Sequence, residues 1–513
     1  MGKIFEQKVN RFDQGISDDP RDPRSGVGAL IKHFDIFSNP YRLTPYRSTE
    51  TEASTVSVAD LKTYDLRHFL LALSGKMYAL GKDGSGFPQI LQKTDPTTGT
   101  WSLPSTSTGN AARITGLFIE WASALWFLQG TTALGKWAIG STVTNTVATL
   151  GSAITTVAQG VIFGDNMFFG YNNKVVKVSS AGAVTDDVTP ALPSDMRITS
   201  LAQWGNYIMI GMAYGTSATA SPTGRSKIYQ WDGSSTTSFN DIIDWGEGAL
   251  QVLGNIEGQI CGVSNKYLET PSGLTSLAVG AGSMVVRLWG GGVPRVMKEL
   301  VANQVVTLGR MLNEVVIKNN RMYWVASVPF GLSTSTESTY HLGIWAFGRK
   351  NQNSNFALTL DYIIDEVIDT SNFKIVSFGA AGNYWFINHS NDGSIHKIDD
   401  AANYTETSIY DTQIFNDGSN SIQKKLVGVT VDTVALPAAG QIVLKYRVNE
   451  ETSYTTIFTH TTDNSLSHSA INIENSGATL PQFRELQLRV ESTGGAEITG
   501  IHFRYEEIDT RMY

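Results

Sequence analysis

Four carboxylates are the candidates for acid–base work: Asp165, and the trio Asp241, Asp244 and Glu247 inside the stretch FNDIIDWGEG. Glycoside hydrolysis needs two carboxyl groups at a set separation, one protonated and one ionised. A fold that gathers residues from several repeated units could supply such a pair without any local motif. The plainer reading is four loop acids in water. Asp18, Asp19 and Asp22 offer oxygens for a divalent cation, but the alternating ligand spacing of a calcium loop is absent. The eight histidines are scattered; His389 and His396 bracket one turn, with no HExxH and no second pair, which reads as a surface pair. No GxSxG, Walker A or Rossmann fingerprint occurs, and the glycines at 290–292 follow a Trp-bearing strand with no helix after them. No residue is therefore assigned a catalytic, cofactor-binding or metal-binding role, and no cofactor is expected.

The elements that would have to position these residues are short strands. ITSLAQWGNYIMIGMAYG (198–215) sets Leu201 and Trp204 against Tyr207 and Met209 across Gly205-Asn206, a tight-turn pair. KIYQWDG (227–233) then runs into Asp232-Gly233, which predicts a type I′ hairpin because that turn needs φ > 0 at both central residues. Hairpins of the first kind recur at 68–81, 116–130, 156–171, 200–212, 253–264, 311–326 and 373–388. Most are followed by another short strand with its own turn. The period of about 40–60 residues is that of a β-propeller blade. About seven units are expected, with six or eight as alternatives and a pair of sandwiches as the competing architecture. The eleven tryptophans could be sugar-stacking platforms, but in such a ring they more often wedge between blades. SNDGSI (390–395) lacks the spacing and the tryptophan of a sialidase Asp-box and reads as a turn, as do Asp83-Gly84 and Asp417-Gly418. The best helix candidate in the whole chain is PRVMKELVANQ, 294–304.

Composition bounds the rest. Hydrophobics at 41% and charged residues at 17% describe a chain with a large core. Net charge of −8 argues against duplex binding, though not against a passive channel through which DNA slides. Cys261 is the only cysteine, so an intrachain disulfide and a Cys-based zinc site are impossible. The start, MGKIFEQKVNRF, is unlike a secretory signal, and the most apolar run, 116–128, is too short to span a bilayer and holds Glu120.

Three domains are expected: an extended arm at 1–55, the β-propeller at 56–412 and a β-sandwich at 413–513. Pro20, Pro23, Pro40 and Pro45 keep the arm irregular. Its Phe12, Phe34, Ile36, Phe37, Tyr41, Leu43 and Tyr46 are costly to leave in water, so the arm lies on its own domain or on a neighbouring subunit. Its arginines (Arg11, Arg21, Arg24, Arg42, Arg47) have acids nearby, which suits salt links between subunits better than DNA phosphates. In the last domain KYRVN, ELQLRVE and GIHFRYE alternate apolar and charged residues, as strands with one wet face do.

The order of these parts resembles a known class. The arm FDQGIS…PRDP…FDIF…PYRLTP, the propeller, and the sandwich opening KKLVGVTVD and closing GIHFRYEEID are similar to the β-propeller structural proteins of tailed bacteriophage virions, the tail nozzle and tail-tip type. The arm opening is similar to their F-x-G-G-I start, with Gln14 where glycine is commoner. The resemblance implies a non-enzymatic virion component, assembled in the host cytoplasm, forming a homo-oligomer ring with other tail proteins and gripping neighbours through arm and sandwich. The rival expectation is a carbohydrate-binding or glycan-cleaving propeller, and a tip protein that binds a host-surface glycan or receptor would combine the two.

Overall fold

The computed structural model describes residues 4–508 apart from 18, 20, 23, 49, 53–67, 72–74, 83–87, 107–113, 130–131, 140, 142, 155–156, 216–223, 268–281, 303–306, 309–314, 330–339, 364–374, 383, 390–394, 399–402, 419–420, 450 and 472–479. Every regular element among them is a β-strand.

Among the described residues seven antiparallel sheets follow one another, the sixth as part of a larger sheet, and their first strands are His68–Leu71, Ile114–Trp121, Val157–Phe163, Met196–Trp204, Ala249–Ile256, Val316–Lys318 and Ile375–Ala381. Each of these strands hairpins into its successor. In the fourth sheet Trp204 pairs with Tyr207 across Gly205-Asn206, and Gly205 alone of the two takes a positive φ, +55°, which suits a type II′ turn. First strands of the first six sheets lie side by side in turn, and Ile375–Ala381 of the seventh lies beside His68–Leu71. The first strands of the second, third, fourth, fifth and seventh sheets each carry a register break. An extra residue there bends the strand and sharpens its twist.

Apolar clusters join each sheet to the next. Tyr78 and Ile90 of the first meet Phe127 and Trp137 of the second. Trp126 meets Phe169, Phe168 meets Trp231, Met209 meets Ile260, and Tyr323 meets Trp385 in the same way around the circle. The last link, Met77 and Trp101 against Phe386 and Ile395, brings the seventh sheet to the first. Sheets that each bury both sides against a neighbour and close on themselves form a β-propeller. All eleven tryptophans sit in these inter-sheet layers, Trp121 and Trp204 at their margins. Nine of them are buried there as wedges.

Two expectations are corrected. The helix candidate at 294–304 is strand Arg295–Ala302, the outer strand of the fifth sheet, paired with Gly282–Trp289. Met, Lys, Glu and Leu favour helix by only tenths of a kcal/mol each, and a ladder partner outweighs that. Asp232-Gly233 does not form a type I′ hairpin, since only Gly233 has a positive φ. It opens a longer loop instead, in which the Asp232 carboxylate accepts from the Ser234 and Ser235 N–H groups and Trp231 Nε1 donates to Ser235 O. Asp417-Gly418 does hold positive φ at both positions, while Asp83-Gly84 and Asp392-Gly393 lie outside the described residues.

At the C-terminal end two sheets face each other. One has the order Ile4–Val9, Ile498–Ile508, Gln423–Thr433, Ser467–Ile471; the other contains Ser408–Asp411, Leu486–Thr493, Gln441–Val448 and Thr455–His460. Leu426, Val429, Leu444, Leu488, Val490 and Phe503 fill the layer between them.

The stretch 1–55 makes no body of its own. Ile4–Val9 belongs to the C-terminal double sheet. Leu30–Lys32 runs parallel to the outer strand of the sixth sheet, pairing Lys32 with Leu360, and antiparallel to Ser408–Asp411 on its other side. One ten-stranded sheet therefore passes from propeller to double sheet through the arm. Glu50–Thr51 is the outermost strand of the seventh sheet. Of the two resting places open to the arm, the described residues take the chain's own: Phe12, Ile16, Ile31, Phe34, Ile36 and Leu43 are buried in one cluster with the fifth and sixth sheets and the double sheet, whereas Tyr41, expected to be covered too, is 61% exposed. Gly15 shows why this path tolerates no side chain there: its φ is +72° and a Cβ would stand 2.7 Å from the Leu358 backbone nitrogen.

Candidate functional site

A concavity opens at the mouth of the double sheet, beside the arm. It is a cleft of about 440 Å³ between the edge strand (Gln7, Val9), the arm at 21–27 and the segment 410–418. Val27, Phe415 and Phe503 give it apolar walls. The arm is folded there by its own acids. Asp22 accepts from Ser17 Oγ at 2.8 Å and from the Arg24 backbone N–H at 3.0 Å. The Arg24 guanidinium, hydrogen-bonded to Asp22, holds that carboxyl far below the usual range even though burial opposes it. Arg21 donates twice to Glu485, both at 3.0 Å. These arginines already have carboxylate partners, so the cleft is not an open anion site. Gln413 lines it with a side-chain amide whose oxygen and nitrogen are both shielded and accept or donate nothing among the described residues. A neutral group with one donor and one acceptor, such as another amide, matches it.

The acids singled out in the sequence are placed differently. Asp241, Asp244 and Glu247 share the outer strand of the fourth sheet. Asp244 Oδ2 accepts from Arg225 at 2.7 Å; burial raises this carboxyl, but Arg225 and the Gly246 N–H together bring it below the ordinary value. Glu247 lies 3.1 Å from Lys266, whose hydrogen bond lowers it too. Asp241 Oδ1 accepts from the Ile242 N–H. A general acid must instead hold its proton near neutral pH. Asp165 is exposed in the first turn of the third sheet, in a different unit from the trio. Asp19 caps the Arg21 N–H, Asp18 lies outside the described residues, and among those described no three His, Cys, Asp or Glu could hold a metal. His396 is on strand Ile395–Ile398, opposite Ile387; the His389 side chain lies outside the described residues. The arm arginines suggested for subunit links pair within the chain: Arg11 with Asp13, Arg21 with Glu485, Arg24 with Asp22 and Arg42 with Glu497, while Arg47 lies over the Tyr404 ring.

No protein-family profile matches the chain, and no curated protein does. Among solved structures, the extracellular domain of the putative hybrid two-component system BT4673 from B. thetaiotaomicron aligns at 12% identity and TM-score 0.42 over 80% of this chain and 47% of its own. The N-terminal domain of Nup159 aligns at 8% and 0.41, over 75% of this chain and 99% of its own. YCF48 bound to D1 peptide aligns at 10% and 0.41, over 72% and 99%. At these similarities they carry nothing about function.

Two buried charge groups escaped the sequence reading. Asp361, on the sixth sheet, accepts from Tyr46 Oη at 2.9 Å and Arg321 Nη1 at 3.1 Å, and from Thr359. His33 stands beside them, its Nδ1 donating to Asp361 O at 3.1 Å. Glu52, just after the arm's last strand, binds Lys93 of the first sheet and Lys397 of the seventh. The only available signal was a lone charge inside an apolar run, as in ALTLDYI (357–363). No helix among the described residues is long and apolar enough to cross a membrane.

Proposed function

We propose that this chain is a non-enzymatic structural component of a tailed phage virion, a tail nozzle, tip or adaptor protein that assembles with copies of itself and with other tail proteins. The observation that carries the reading is mechanical. The arm is built into the sixth sheet, the seventh sheet and the double sheet at once, so propeller and double sheet move as one stiff block. A load-bearing tube needs such blocks. The sequence features that suggested a glycan-processing site do not support it: the tryptophans lie between sheets, and Asp244 and Glu247 are held ionised by cations. A net charge of −8 suits a ring whose lumen does not hold DNA phosphates.

Labelling the subunit and imaging particles by electron microscopy tests the reading. Density at the tail is the expected result. Its absence from purified particles, or hydrolysis of host surface polysaccharide by the pure chain, overturns it.

A further inference from the structure

One edge of the double sheet, which carries no further strand among the described residues, fits a second copy of this chain. Ile4–Val9 is an edge strand: one side pairs with Ile498–Ile508, from Ile4↔Glu506 to Val9↔Ile501, and its other side carries no ladder among the described residues. The opposite edge, Ser467–Ile471, instead lies against Thr455–His460 of the facing sheet. An unpaired row of N–H and C=O groups is a template for another strand.

The residues on this strand alternate strictly. Ile4, Glu6 and Lys8 are exposed, Ile4 by 61%, while Phe5, Gln7 and Val9 face the interior, with Phe5 stacked on Tyr505. Glu6 and Lys8 touch only loosely within the chain, at 3.5 Å and about half exposed. Of the antiparallel registers about a twofold axis within this strand, one sets opposite charges against each other. Centred on Glu6 or on Lys8, it sets like charges directly opposite. Centred on Gln7, it sets Glu6 of each copy against Lys8 of the other, Phe5 against Val9, and Ile4 against Asn10, with both interior faces on the same side of the joined sheet.

We infer that two copies join edge to edge through Ile4–Val9 in this Gln7-centred register, making one continuous sheet across a twofold axis. The inference rests on the strand and its charges, not on the virion reading. Within a ring, a contact of this kind stacks two rings face to face.

Sedimentation equilibrium of the full chain tests it, with a concentration-dependent dimer expected. Lys8→Glu or Glu6→Lys makes both cross-pairs repulsive and weakens the dimer by about tenfold, whereas Glu6→Lys combined with Lys8→Glu restores it. Because opposed residues at a two-strand axis come within disulfide reach and Cys261 is buried, Gln7→Cys cross-links to itself on oxidation and Ile4→Cys does not. Circular dichroism confirms that each variant is folded. A chain that stays monomeric up to near-millimolar concentration overturns the inference, with Glu6 and Lys8 then merely guarding the edge. So does a dimer indifferent to the charge changes, or one cross-linked as readily through Ile4→Cys as through Gln7→Cys.

Discussion

His33 is the residue whose chemistry is most changed by folding. It holds φ = +63°, donates through Nδ1 to Asp361 O, and leaves Nε2 buried with no hydrogen-bond partner among the described residues. Burial pushes the imidazole down to about 4, against the opposing pull of backbone carbonyls. An unfolded histidine titrates near 6.5, so below that pH the unfolded chain binds a proton that the folded chain refuses. The stabilising effect of a neutral His33 is therefore complete above about 6.5 and is lost as pH falls from there to about 4, a change of roughly 3 kcal/mol. Urea titrations at pH 7.5 and pH 4.5 should show this drop in the wild type and a smaller one in His33→Asn, since asparagine tolerates the backbone angle. Its neighbour Asp361 behaves differently, because its worth lies in a partner. Asp361→Ala leaves Arg321 buried without its counter-charge and should cost about 3–5 kcal/mol, measured as a fall in the urea midpoint at unchanged slope.

At the scale of elements, the arm segment 50–52 is the latch of the ring. Strand Glu50–Thr51 completes the seventh sheet, and Glu52 draws in a lysine from the first sheet and one from the seventh. Lys93 and Glu52 are almost fully buried, so their pairing is not screened by water. Glu52→Ala leaves two lysines facing each other and should destabilise the chain by about 3–5 kcal/mol. Hydrogen exchange should then rise first in strands Ile395–Ile398 and Pro88–Lys93, the two that the latch holds. The inter-sheet wedges give a second prediction at this scale. Trp231 is 1% exposed and stands edge-on to Phe168 at 5.5 Å. Trp231→Ala should cost about 3–5 kcal/mol by thermal or urea unfolding, with neither bound ligand nor glycan involved.

For the molecule as a whole, the ten-stranded sheet decides how it comes apart. Propeller and double sheet are bridged by Leu30–Lys32 and share one apolar cluster that includes Ile31, Trp345, Tyr410 and Leu488. A large apolar interface couples two bodies, so they are expected to unfold together. Calorimetry should record one transition whose van't Hoff and calorimetric enthalpies agree. Ile31→Asp, which puts a charge into the bridge, should split it into two. The arm is thus part of the core, and its removal should be far more damaging than the trimming of an irregular tail.

Residues close in sequence announced their own structure. The hairpins at 116–130, 156–171, 200–212 and 253–264 coincide with the first two strands of successive sheets, because apolar alternation and small turn residues act over only a few positions. Aromatic richness likewise foretold the tryptophan wedges, since large rings need a flat partner wherever the sheets meet. What lay beyond the sequence was every choice between distant partners. The stretch 294–304 has the composition of a helix, and only the ladder with Gly282–Trp289 makes Arg295–Ala302 a strand. Asp244 could have been a catalytic acid until folding set Arg225 beside it. The route of the arm was hidden for the same reason: Glu52 meets Lys397, and Lys32 meets Leu360, across separations that leave no local trace. Periodicity is a property of neighbours along the chain, whereas burial, charge pairing and edge exposure depend on which surfaces the closed ring brings together.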